Sequence, residues 1–140
     1  MLAVMTHTVE ETGLLVKRLQ HRHHRAMTAA LAELGISLVQ WDTLRHLDRL
    51  PEASLHDLAQ LTFQTDQSFG SLAVRMAMGG LIERVEGPGR AVRHRLTPRG
   101  QELREAGAVR VSKVLAESFA PLSAEQVDEF VALLHQLLPD

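Results

Sequence analysis

Residues Ser54 to Thr97 read SLHDLAQLTFQTDQSFGSLAVRMAMGGLIERVEGPGRAVRHRLT, and this stretch decides the fold. Ser54 is a helix N-cap with Asp57 three residues on as its return partner. Leu55, Leu58 and Ala59 then recur at helical spacing. The chain turns through Thr62, Phe63 and Gln64. Thr65 caps a second helix, Thr65 to Gly79, and Asp66 sets a negative charge near its positive end. Phe69, Leu72, Ala73 and Met76 follow the i, i+3, i+4, i+7 rule and should be buried. Gln67, Ser71 and Arg75 stand four apart on another face, with Ser68 beside them. Gly79-Gly80 ends the helix.

Leu81 to Glu86 reads as a strand, Gly87-Pro88-Gly89 as a turn, and Ala91 to Leu96 as the returning strand. From Leu81 to Arg99 there are five arginines (84, 90, 93, 95, 99) against Glu83 and Glu86. The whole chain carries a net charge of −2. A basic hairpin on a mildly acidic protein is a positional signal. A short helix, a helix with a polar face and a basic hairpin, in that order, make a winged helix-turn-helix. One helix enters the major groove and the wing reaches along the backbone to the minor groove.

The flanks fit this centre. Thr8 to Leu34 reads as one long helix, with Val9, Leu15, Val16, Leu19, Ala26, Ala29, Ala30 and Ala32 as its apolar positions and Gly35 closing it. Ser37 to Gln40 is a capping box, so a second helix runs from about Leu38 to Leu50, with Trp41, Leu44 and Leu47 inward. Thr97-Pro98 is a strong helix start. That helix runs to about Phe119 with Leu103, Ala106, Val109, Val111, Val114 and Leu115 apolar. Ser123 opens a last helix carrying Val127, Phe130, Val131, Leu134, Leu137 and Leu138. The fold class is therefore mainly α with a small β-hairpin wing, in one domain. The winged lobe spans 36–97, and the dimerisation helices span 8–34 and 98–138. The central lobe offers no surface long enough to cover the terminal helices, so a two-fold homodimer is expected.

Composition sets further bounds. A length of 140 residues is one domain's worth. Hydrophobic content is 45% and aromatic content 4%, so the core is aliphatic. There is no cysteine, which removes disulfides and thiolate metal sites. No window approaches 18 uninterrupted apolar residues, and the first residues lack the basic start and long apolar centre of a signal peptide. A cytoplasmic location with no membrane partner is expected. Gly-rich phosphate loops, the nucleophile-elbow serine and HExxH are absent from the sequence, so an enzyme is not expected.

The stretch resembles the MarR-type transcriptional regulators. The likeness rests on Gly80-Leu81-Ile82-Glu83-Arg84, then Pro88-Gly89-Arg90-Ala91, then Leu96-Thr97-Pro98-Arg99-Gly100. Pro88 and Gly89 stand where the family usually has Asp and the first Arg, so only Arg90 carries over at the wing tip. The resemblance covers nearly the whole chain. It implies a homodimeric, sequence-specific DNA-binding regulator, a ligand-responsive repressor on a palindromic operator.

On this reading Gln64, Thr65, Gln67, Ser68 and Ser71 face base edges and Arg75 meets a phosphate. Arg90 enters the minor groove. Arg93 and Arg95 share a strand face and contact phosphates or balance Glu83 and Glu86. Asp66 caps its helix or excludes phosphate. The resemblance also implies a small aromatic or anionic effector where the first two helices meet the DNA-binding lobe. His21, His24, Arg25, Trp41 and Arg45 are its candidate lining, with Trp41 stacking or simply filling the core.

His21 and His24 also have the i, i+3 spacing of metal ligands, and His46 or His56 can add a third. No second compact pair accompanies them, so no metal and no cofactor is expected. The rival readings are a winged-helix protein-interaction module without specific DNA binding and a metal- or haem-responsive sensor.

Overall fold

The computed structural model describes residues 6–86, 89 and 91–139. The described elements run α1 (Val9–Ala32), α2 (Leu38–Arg49), α3 (Leu55–Leu61), α4 (Asp66–Met78), β1 (Ile82–Val85), β2 (Arg93–Leu96), α5 (Pro98–Phe119) and α6 (Ala124–Leu137). The order and type of elements are those expected from the sequence: mainly helical, with one antiparallel hairpin.

The helix starts follow from side-chain chemistry. Thr8, Ser37, Ser54 and Ser123 each accept from the backbone N–H three residues on, and the residue there bonds back to the cap. These reciprocal pairs satisfy amide groups that the first turn leaves without a helical partner. Thr97 caps α5, and Pro98 follows at the first turn. Pro has no N–H to leave unpaired there, and its φ is already helical.

The core lies where the C-terminal end of α1, α2 and the first half of α5 meet α3, α4 and the base of the wing. Leu31, Leu44, Leu58, Phe69, Met76 and Ile82 are its most enclosed side chains. Trp41, Leu47, Leu103 and Val111 complete the contact with α5. Gly100 allows the close approach of α5 to the wing: a Cβ there would overlap the carbonyl oxygen of Leu81.

The strands are shorter than the sequence suggests, Ile82–Val85 and Arg93–Leu96. Leu81 is partly occupied elsewhere. Its N–H closes the end of α4 on the Met76 carbonyl, and its own carbonyl accepts from Thr97 N–H at 3.1 Å. Its carbonyl thus continues the hairpin register by one bond, while its N–H is diverted to α4.

The long helices bury little within one chain, in line with the expectation that the central lobe cannot cover them. Of all α1 only Leu31 is buried, a residue outside the expected apolar set. Val9, Leu15 and Val16 are more than half exposed. On α5, Leu103 and Val111 are buried but Val109 is exposed. Nothing on α6 is buried, and Leu133, Leu137 and Leu138 face solvent. An apolar stripe at helical spacing predicts burial against something, and within one chain no element reaches these faces. What α6 has is an aromatic contact: Phe130 meets Phe119 of α5, which meets the edge of His23 on α1.

Candidate nucleic-acid interface

The α3–α4 pair is held by bonds that aim α4 outward. Thr62 ends α3 by donating its hydroxyl to the Leu58 carbonyl at 2.7 Å. Phe63 turns the chain with a positive φ of 58°, and Gln64 N–H reaches back to the Ala59 carbonyl at 2.8 Å. Thr65 then caps α4 by accepting from Ser68 N–H at 3.0 Å. Asp66 is bound by His56 Nδ1, at 2.8 and 3.0 Å from its two oxygens. That pair ties α3 to α4 and gives the Asp66 charge a partner beyond the helix dipole.

Phe69, Leu72, Ala73 and Met76 are buried, as the spacing requires. Thr65, Gln67, Ser68, Ser71 and Arg75 are exposed, and Gln64 is half-buried. Gln64 is also engaged: its amide oxygen accepts from the Ser68 hydroxyl at 3.0 Å. Two exposed apolar residues, Val74 and Met78, accompany the polar ones. Helical spacing puts Gln67, Ser71, Val74 and Met78 on one stripe, with Arg75 beside it. The polar pattern was readable in the sequence, but Val74 and Met78 were not singled out by it.

The wing is anchored at its base. Leu55 N–H donates to the Val92 carbonyl at 2.9 Å, joining the start of α3 to the return strand. The register pairs Ile82 with Leu96, Glu83 with Arg95, Arg84 with His94 and Val85 with Arg93. Successive side chains alternate, so Glu83, Val85, Arg93 and Arg95 share one face. Arg95 Nε pairs with Glu83 across the strands at 2.6 Å. Arg93 Nε donates to the Glu52 backbone carbonyl at 3.1 Å. Both arginines thus already have partners. Among the described residues, Arg75 and Arg84 form no ion pair. Arg84 is exposed and was not picked out as a site residue from sequence, because Glu83 and Glu86 beside it hid its freedom. Arg90, Gly87 and Pro88 lie outside the described residues.

Three titrating groups here are shifted downward. Asp57 is lowered by the Ser54 backbone N–H and then by the Ser54 hydroxyl. His94 is buried under the wing, its Nδ1 without a hydrogen-bond partner, and burial then the nearby Arg84 charge lower it. His46 is lowered chiefly by burial, with the Asp42 carboxylate opposing.

The candidate effector residues do not converge. His21 and Arg25 line a groove of about 1000 Å³ along α1 with Leu14, Leu15, Lys17 and Arg18. His24 is exposed. Trp41 is buried, and its indole N–H donates to the Arg104 carbonyl at 3.0 Å. Arg45 sits over the Trp41 ring at 5.9 Å and pairs with Asp42. Trp41 and Arg45 are thus together on α2, apart from His21 and Arg25. Among the described residues no three His, Asp or Glu side chains are grouped to hold a metal ion.

Known proteins share this layout. Residues 34–91 match the model of the MarR family. The chain is 30% identical over 116 residues to the HTH-type transcriptional repressor Rv2887 of Mycobacterium tuberculosis, spanning 81% of this chain and 84% of that one. Its structure is similar to that of Rv2887 in complex with salicylic acid, at 29% identity and a TM-score of 0.75, covering 89% of this chain and 94% of that one. It is similar as well to Rv2887 in complex with DNA, at 28% identity and a TM-score of 0.74, covering 89% and 95%. A MarR-family regulator from a Rhodococcus species shares the fold, with a TM-score of 0.83 at 19% identity over 95% and 96% of the two chains. With its capped α3–α4 pair, its basic hairpin and these relatives, the chain belongs to the MarR family of transcriptional regulators.

Proposed function

We propose that this chain is a ligand-responsive transcriptional repressor that binds a palindromic operator as a homodimer. The observation that carries the reading is α4. One face of it is fully packed, and the opposite face presents Gln67, Ser71 and Arg75 to solvent on a rigid support. The Rv2887 structures with DNA and with salicylic acid give the two kinds of ligand such a protein takes.

In this reading the lobe 36–97 meets DNA. Gln64, Thr65, Gln67, Ser68 and Ser71 approach base edges, and Arg75 a phosphate. Arg90 reaches the minor groove. Arg93 and Arg95 lie along the backbone, Arg95 once it leaves Glu83. The helices in 8–34 and 98–138 form the dimer, which covers the bare apolar faces of α1 and α6. Two α4 helices must then stand one DNA turn apart, roughly 34–36 Å. A small aromatic acid acts by binding the spacing that does not fit the operator better than the one that does. Arg25 of the α1 groove, with His21 beside it, suits its carboxylate. Trp41, buried against α5, suits packing. No helix among the described residues is long and apolar enough to cross a membrane.

The test is selection from a randomised duplex pool at two salt concentrations, with Arg75→Ala and Arg90→Ala alongside the wild type. Enrichment of a palindrome with half-sites about ten base pairs apart, weakened by both variants, is expected. Binding that enriches nothing and vanishes at moderate salt overturns the reading.

A further inference from the structure

The apolar part of the α4 stripe has no role in the fold. Val74 is 59% exposed and Met78 84% exposed, whereas every other large apolar residue of α4 is buried. The helix packs on α3 and β1 through its opposite face. The stripe that Val74 and Met78 continue is the one that starts with Gln67 and Ser71, the base-facing stripe of the function proposed above, on which this inference rests. An aliphatic side chain set into a major groove meets one apolar group on the base edges, the C5-methyl of thymine. Beside a polar acceptor or donor it would only desolvate that group without a bond.

We propose that Val74 reads a thymine C5-methyl in the major groove of the operator, with Met78 covering the same methyl from the next turn. Gln67 precedes Val74 by seven residues, roughly 10.5 Å of helix. At about 3.4 Å per base step, the thymine lies no more than about three base pairs from the pair that Gln67 reads. Arg75, beside the stripe and without an ion pair among the described residues, stays free for the flanking phosphate.

The test uses the duplex recovered by the selection above. Each thymine is replaced in turn by deoxyuridine, which removes the methyl and keeps every hydrogen-bonding group. One thymine per half-site should weaken wild-type binding about fourfold when replaced, the worth of one buried methyl. The loss should be equal at both salt concentrations, since no charge is involved. Val74→Ala should bind the thymine duplex more weakly and show a smaller loss with uracil at that position, and Val74→Ala combined with Met78→Ala should show none. Wild-type binding that ignores uracil at every thymine overturns the proposal while leaving the operator reading intact. So does a Val74→Ala protein that keeps the full uracil penalty. A selection that recovers no specific duplex overturns the operator reading itself and this inference with it.

Discussion

Gly107 of α5 lies against the face of Trp41 so closely that a Cβ at Gly107 would overlap the indole Cδ1 and stand 2.5 Å from Nε1. The same indole donates to the Arg104 carbonyl one turn earlier on α5. Trp41 thus joins α2 to α5, the helix that runs on to the expected dimer region. Gly107→Ala must push the ring aside or bend α5. It should destabilise by about 1–3 kcal/mol, the usual range for overpacking. Trp41→Phe keeps most of the ring and loses the bond, for about 1 kcal/mol. Urea unfolding followed by circular dichroism measures both.

Phe63 is 94% exposed at a φ of 58°, a backbone region that costs non-glycine residues about 1–2 kcal/mol. It gains almost no burial in return. Phe63→Gly removes that strain, offset in part by the greater entropy glycine loses on folding. A net stabilisation of about 0.5–1 kcal/mol is expected. A lower urea midpoint than the wild type would show instead that the phenyl ring supports the turn.

His94 and His46 are both held below the ordinary imidazole value of 6.5. A lowered histidine means that the unfolded chain takes up the proton first. Stability is therefore greatest above pH 6.5 and falls as the pH drops below it, until the folded rings titrate as well. The slope is at most about 1.4 kcal/mol per pH unit for each ring. His94→Leu should flatten the loss between pH 7 and pH 5. An unchanged slope would assign the effect to His46 alone.

Arg75 and Arg95 differ in what already holds them. Arg75→Ala should reduce the salt dependence of duplex binding by about one phosphate contact per half-site, a slope change near 0.9 each. Arg95→Ala should change it less, since Glu83 already neutralises that guanidinium. Glu83→Gln should release Arg95 and tighten binding to any duplex. Titrations over a salt series separate the three.

Leu137 is 73% exposed and Leu15 53% exposed, on helices that bury little or nothing within one chain. Leu15→Glu with Leu137→Glu should convert a dimer to a monomer in sedimentation and abolish palindrome binding. Secondary structure of the central lobe should survive, since neither residue belongs to its core.

Much of this protein was written locally. Four capping boxes, Thr97-Pro98 and the buried stripe of α4 depend on residues within a few positions of one another, so sequence determined the helix starts, the element order and the polar face of α4. Non-local contact decided the rest. Leu81 reads as a strand residue, but its N–H closes the end of α4 and only its carbonyl bonds across the hairpin. Trp41 reads from its helical spacing as a core residue first and a ligand stack second, and Gly107, 66 positions away, is what packs against its ring. Arg93 and Arg95 read from the sequence as phosphate contacts or as partners of Glu83 and Glu86; the hairpin register selects Glu83 for Arg95, and the fold sends Arg93 to the Glu52 carbonyl instead. Apolar spacing marks a face for burial without naming what covers it. That is why α4 could be assigned from sequence, whereas α1 and α6, exposed within one chain, point to a second copy.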